Sequence, residues 1–220
     1  MKILVVAPHP DDEVLGAGGT LLRYKSEGKA IAWLIVTEIT EEFGWTPDKI
    51  SGREQEIVKI SNFLKFDKVY KLNLPAARLD TLPMADIVQK MSHVIKDFEP
   101  DEILIPHLGD IHTDHQVVHN AVLACTKWFR YPSVKRVLCY ETISETNFGL
   151  DVAGQFIPNV FVDISEFLVH KLDAMEIYSS EMGVFPFPRS RISIESLARY
   201  RGSSSGFHAA EAFQLLRERI

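Results

Sequence analysis

Lys2-Ile3-Leu4-Val5-Val6-Ala7 runs straight into Pro8-His9-Pro10-Asp11-Asp12-Glu13, so a β-branched apolar run stops on an imidazole and three acids. Such a run reads as a buried strand, and the pattern from Glu13 to Glu27 reads as a helix. The same order of parts returns far along the chain. The apolar run Glu102-Ile103-Leu104-Ile105-Pro106 leads to His112-Thr113-Asp114-His115, and a second helical pattern follows. Open α/β sheets gather ligands and catalysis at the carboxyl ends of parallel strands, beside the point where strand order reverses. Imidazoles and carboxylates placed there suit a divalent metal with acid–base groups at hand.

Between these segments apolar runs alternate with helical stretches, the βαβ rhythm of an α/β fold with a mostly parallel sheet. Strands are expected at Lys2–Ala7, Ala30–Thr37, Lys68–Leu72, Glu102–Pro106, Arg136–Tyr140 and Val160–Asp163. Helices are expected at Glu13–Glu27, Ser51–Leu64, Met84–Phe98, Asp114–Lys127, Ser165–Ser179 and Ile194–Arg201, with a short closing helix over Ala209–Leu216. Gly28 and Glu99-Pro100 supply stop signals. No linker, repeat or low-complexity tract divides residues 1–220, so one domain is expected. In a doubly wound sheet the first and fourth strands are commonly neighbours. That arrangement would bring His9–Glu13 and His112–His115 together across one crevice.

Composition narrows the partners. With 46% hydrophobic and 25% charged residues the 220-residue chain is an ordinary globular protein. A net charge of −6 argues against nucleic-acid or anionic-membrane binding, both of which need a basic face. The apolar runs are too short for a transmembrane segment, and His9 interrupts the start before a signal-peptide core could form. Cys125 and Cys139 are the only cysteines, and they read as buried thiols of a cytoplasmic protein.

A catalytic zinc takes three protein ligands and keeps a place for water. The two loops offer six candidates: His9, Asp11, Asp12, His112, Asp114 and His115. The surplus leaves room for a carboxylate base, an imidazole facing a developing oxyanion, and an acid that orients that imidazole and holds it protonated. Helix capping would explain the acids but not three imidazoles at strand ends. Gly16, Gly18 and Gly19 come after the acids, not directly after the strand, which favours close backbone packing over dinucleotide binding. A response-regulator receiver would need an Asp ending the third strand, where Leu72-Asn73 stands. The HxHxDH pattern of binuclear metallo-β-lactamase-type hydrolases would need an imidazole where Asp110 stands. Two alternatives stay open: a binuclear hydrolase of another amide or ester, and a non-enzymatic metal-binding Rossmann-like domain.

Pro8-His9-Pro10-Asp11-Asp12-Glu13 together with His112-Thr113-Asp114-His115 resembles the PIG-L/LmbE-like family of metal-dependent N-deacetylases. Its motifs are A-H-P-D-D-E and H-x-D-H. Arg53 and Glu56, and the Arg201-Gly202 to Ala210-Glu211-Ala212-Phe213 region, extend the likeness. The resemblance implies a Rossmann-like three-layer sandwich and an N-acetylglucosamine-type sugar or conjugate as the small-molecule substrate. It further implies zinc on His9, Asp12 and His115, Asp11 as general base, and His112 as oxyanion stabiliser oriented by Asp114. Fe2+, Mn2+ or Co2+ would also suit the ligand set, and a homo-oligomer is left open.

Departures from the family pattern fall on the substrate side. The loop Glu38 to Trp45 is acidic, with Phe43 and Trp45 free to stack on a sugar or pack on the loop. Tyr178-Ser179-Ser180-Glu181 stands where many bacterial members have H-x-S-Q, and Ala209, preceded by His208, replaces a common Tyr. Arg53 suits either a substrate contact or an ordinary salt bridge. Of the other histidines, His107 and His208 are the two with room to approach the cleft, their roles left open; His93, His119 and His170 read as structural.

Overall fold

The computed structural model describes residues 1–150 and 154–220. Seven strands, β1 (Lys2–Ala7), β2 (Ala30–Glu38), β3 (Lys68–Pro75), β4 (Glu102–Pro106), β5 (Arg136–Tyr140), β6 (Val160–Asp163) and β7 (Ala210–Glu218), form one sheet in the order 3-2-1-4-5-7-6. Strands 1 to 5 are mutually parallel, and β7 runs antiparallel between β5 and β6. Helices α1 (Asp12–Ser26), α2 (Pro47–Leu64), α3 (Met84–Phe98), α4 (Thr113–Ala124), α5 (Leu168–Ile177) and α6 (Arg191–Ser203) cover the two faces.

The strand sequences dictate this sandwich. In β1, Ile3, Val5 and Ala7 face a core shared with α1, α2, α5 and α6, while Leu4 and Val6 face a second core with α3 and α4. Residues 3 to 7 are fully buried, as period-two alternation between two apolar layers requires. Trp33 on β2 and Leu104 on β4 join the first core; Leu34 and Ile103 join the second.

Helix α1 lies close to the sheet because Gly16 has no side chain. A Cβ there would stand 2.2 Å from Tyr140 Cδ2, so the glycines after the acids serve packing. Helix α2 begins earlier than the apolar pattern indicates, since the Thr46 hydroxyl accepts from Lys49 N at 3.4 Å and Pro47 occupies the first turn.

The closing segment is a strand, not the expected short helix over Ala209–Leu216. Its Ala, Glu and Leu residues favour helix locally, but pairing on both sides with β5 and β6 overrides that preference. Ala210 to Phe213 are buried there, and the Glu211 carboxylate accepts from Gly19 N and Thr20 N at 2.9 and 2.7 Å. Lys171 Nζ meets the same carboxylate at 2.6 Å. Cys125 and Cys139 are buried and free. No helix among the described residues is long and apolar enough to cross a membrane.

Candidate metal centre and active site

Strands β1 and β4 are hydrogen-bonded neighbours, so the loops that leave their carboxyl ends share one crevice. The chain then turns to β2 on one side of this pair and to β5 on the other, the reversal point where such sheets open a cleft. At Asp11 the backbone adopts φ 133° and ψ −31°, a region costly for any residue with a Cβ. Asp11 occupies the N-cap position of α1, yet its side chain makes no capping bond. Its N–H donates to Glu13 Oε2 at 3.1 Å, and Tyr178 Oη donates to Glu13 Oε1 at 2.7 Å. Buried Glu13 and Tyr178 thus pin a strained turn that leaves the Asp11 carboxylate lining a cavity.

His9, Asp12 and His115 bring one donor atom each to a common point. Asp12 Oδ2 lies 3.4 Å from His9 Nδ1 and 3.3 Å from His115 Nε2. In a tetrahedron with bonds of about 2.0–2.1 Å, ligand atoms are separated by roughly 3.3–3.4 Å. The separations therefore match what a small dication requires. Each imidazole also turns its far nitrogen to a carboxylate, His9 Nε2 to Asp114 Oδ2 at 3.0 Å and His115 Nδ1 to Asp110 Oδ2 at 2.8 Å. Such partners select the tautomer whose free nitrogen faces the metal.

The electrostatics agree. Burial works to lower the His9 pKa, but hydrogen bonds to Asp114 and Asp12 outweigh it and lift it to about 9. Burial opposes a charged His115 too, yet Asp12 and Asp110 raise it well above its ordinary value. For Asp12 burial favours the neutral form, and the two imidazoles reverse this and hold it well below the usual carboxylate range. The pocket attracts positive charge, as a cation site must. His9 also belongs to a second group of three donors with His112 and Asp114. Using both groups at once would need one imidazole to give up both protons, so the donor set fits a single ion.

Asp11 is a different kind of carboxylate. Burial, then Asp12 and Glu181, push its pKa up to about 8, against Arg189 and His9, which lower it. A buried carboxylate near neutrality suits general-base work. His112 caps α4, its Nδ1 accepting from Asp114 N at 3.1 Å, which leaves Nε2–H as the ring's donor. Burial, then His9, lowers its pKa, so His112 is a neutral donor. Asp114 thus positions His112 through its main chain. Its carboxylate serves His9 and accepts from Ala77 N at 2.7 Å and Leu79 N at 3.1 Å. The expected carboxylate orienter holding His112 protonated is replaced by this arrangement, because the N–H groups of a helix's first turn point back at the cap.

The cavity measures about 300 Å³, at the small end of ligand sites. His9, Asp11, Asp12, His112 and His115 line it together with Arg53, Trp45, Glu181 and Arg189. Arg53 is in place but occupied, bonded to the Pro10 carbonyl at 2.6 Å and to the Glu181 carboxylate. Phe43 stacks under Arg78 instead of lining the cavity. His107 and His208 do not line it either. His107 is buried on the Gly154 carbonyl at 2.7 Å, and His208 lies in a separate groove with Arg23 and Asp163. Sequence reasoning missed Asp110, Tyr178, Glu181 and Arg189 as parts of this site. Asp110 left a signal in its position five residues before His115 in the second motif, and Tyr178 and Glu181 in their departure from H-x-S-Q, whereas Arg189 left none.

Comparison with known proteins agrees with this geometry. A family model described as PIG-L, GlcNAc-PI de-N-acetylase, matches residues 4–126 of the 220. The chain is similar to a diacetylchitobiose deacetylase of Thermococcus kodakarensis, 25% identical over 98% of this chain and 83% of that protein. The structure resembles that of a conserved protein of Thermus thermophilus, with 29% identity, coverage of 99% and 96%, and a TM-score of 0.80. It also shares its fold with an N,N'-diacetylchitobiose deacetylase of Pyrococcus horikoshii, at 20% identity, coverage of 98% and 84%, and a TM-score of 0.79. On the family match, which takes in both histidine motifs, the chain belongs to the PIG-L family of deacetylases.

Proposed function

We propose that residues 1–220 form one catalytic domain that hydrolyses the acetamide of an N-acetylglucosamine-type sugar or conjugate, giving the free amine and acetate. The observation that carries this reading is the convergence of a three-donor group with a separate buried carboxylate and a neutral imidazole donor on one small cavity. His9, Asp12 and His115 would hold the ion, for which we propose zinc. A dication there would polarise the amide carbonyl and make water more acidic.

The other steps belong to side chains. Asp11 takes a proton from the attacking water as the C–O bond forms. His112 donates Nε2–H to the oxyanion that replaces the carbonyl oxygen. The C–N bond then breaks, and the proton held by Asp11 passes to the leaving nitrogen. Water is consumed, and no other reactant is needed. A non-enzymatic metal-binding domain would have no use for a strained backbone that turns an uncapped Asp11 into the cavity. The two free cysteines and the net charge of −6 support a cytoplasmic enzyme of small molecules with no nucleic-acid partner.

Acetate release from N-acetylglucosamine and its β-linked oligomers, with metal content measured on the same preparations, tests the proposal. Asp11→Asn should keep the metal and lose turnover by about two to four orders of magnitude. His9→Ala, Asp12→Ala and His115→Ala should each lose metal. Absence of acetate release across the panel, or a wild-type rate in Asp11→Asn, would refute the assignment.

A further inference from the structure

Beyond the metal-binding triad the cavity lining holds three side-chain cations, Arg53, Lys71 and Arg189, and five carboxylates, Asp11, Glu38, Glu54, Glu145 and Glu181. Each cation is already engaged. Lys71 Nζ meets Glu54 Oε2 at 2.5 Å. Arg53 meets Glu181 Oε1 through Nη2, Glu56 at 3.4 Å through Nε, and the Pro10 carbonyl through Nη1. Arg189 Nη2 meets Glu181 Oε2 at 3.2 Å, and its Nε donates to the Glu181 carbonyl at 3.0 Å. Arg189 Nη1 faces Asp11 Oδ2 at 3.8 Å. One carboxylate therefore bridges both guanidiniums, one oxygen to each.

Guanidinium is the side chain best shaped to bind phosphate or carboxylate, through paired N–H donors. With Glu181 in place neither arginine has a free fork to offer. An anionic group entering here would have to displace Glu181 and meet the surplus of carboxylates. Ile39, Trp45 and Ile50 on the β2–α2 side supply apolar and aromatic wall instead, the surface that the carbon face of a sugar packs against.

We propose that Glu181 determines specificity by neutralising Arg53 and Arg189. The site then takes uncharged N-acetylated sugars, such as oligosaccharides and neutral glycosides, and rejects conjugates that carry a phosphate or carboxylate. The substrate side of this inference rests on the deacetylase reading above. Discrimination comes from a repulsive element as much as from contacts to the favoured substrate. A neutral amide at position 181 would preserve shape and release both cations.

The experiment compares kcat/KM of the metal-loaded enzyme for methyl N-acetylglucosaminide and for N-acetylglucosamine 6-phosphate, in wild type, Glu181→Gln and Glu181→Asp. Wild type should favour the uncharged substrate by at least about tenfold, and Glu181→Gln should move the ratio at least about tenfold toward the phosphate. Glu181→Asp should keep the wild-type preference. Taking the ratio cancels effects on Asp11 that both substrates share. A wild-type preference for the phosphate, or a ratio within about twofold of wild type in Glu181→Gln, would overturn the proposal and leave an ordinary structural ion pair. Calorimetric binding of glucosamine and glucosamine 6-phosphate to the same proteins provides a second readout. If neither substrate releases acetate, the deacetylase reading fails, and the binding ratio still decides the role of Glu181.

Discussion

Asp110→Asn should damage the metal centre without touching a metal ligand. Asp110 Oδ2 accepts from His115 Nδ1 at 2.8 Å, with both side chains essentially inaccessible to solvent. That bond presents the lone pair of His115 Nε2 toward Asp12. The other Asp110 oxygen accepts from Thr146 Oγ1 at 2.6 Å. Thr146 is the donor in that bond because an ionised carboxylate can only accept, and its oxygen also accepts from Thr142 N at 2.8 Å. An asparagine at 110 must place its single carbonyl on one of the two donors. Placing it on Thr146 turns the amide NH2 toward His115 Nδ1, forces the opposite tautomer and puts a proton where the metal belongs. Placing it on His115 turns the NH2 toward Thr146, whose hydroxyl must then swing its proton away and lose its buried acceptor. Loss of such a partner weakens metal binding by about 10- to 100-fold, or roughly 1.4–2.8 kcal/mol. Chelator competition on the purified protein measures this. Thr146→Val removes the donor that dictates the amide's direction, so Asp110→Asn/Thr146→Val should recover part of the loss, a coupling that a double-mutant cycle reports. Wild-type affinity in Asp110→Asn, or strict additivity in the double variant, would show that the carboxylate does not set the His115 tautomer.

The acid limb of kcat/KM should report Asp11, which must be ionised to accept a proton. Its pKa stands at about 8, raised by burial and then by Asp12 and Glu181, so activity falls as the pH drops, with a bound cation drawing the limb below that value. Arg189→Met removes a charge that lowers this pKa and should move the limb to higher pH; a shift toward acid would contradict the role. Lys171→Met strands the Glu211 carboxylate between β7 and α1, where Lys171 Nζ also donates to Leu15 O at 2.7 Å. Breaking a buried pair costs about 3–5 kcal/mol, to be read from urea unfolding, and a loss under about 1 kcal/mol would mean that the backbone N–H bonds alone satisfy Glu211.

The sequence by itself determined the frame and the centre of the site. Runs such as Ile3–Ala7 and Ile103–Ile105 bury against apolar layers on both faces, and such runs between helical patterns admit few arrangements other than a parallel sheet. Adjacency of β1 and β4 follows from the winding of such sheets, and it brings His9–Asp12 and His112–His115 together. Tertiary structure alone decided the rest, because it depends on partners distant along the chain. Ala210–Glu218 became a strand when flanked by β5 and β6, against its local helix preference. The Asp114 carboxylate was assigned to His9, 105 residues away, while nearby His112 received only the Asp114 main-chain N–H. Glu181 and Arg189 entered the cavity from a loop whose sequence has no periodicity to read, and they oppose Arg53 and Asp11 from far along the chain. Periodicity reports which face of an element is buried, whereas the pairing of charges depends on distances that exist only once the chain has closed on itself.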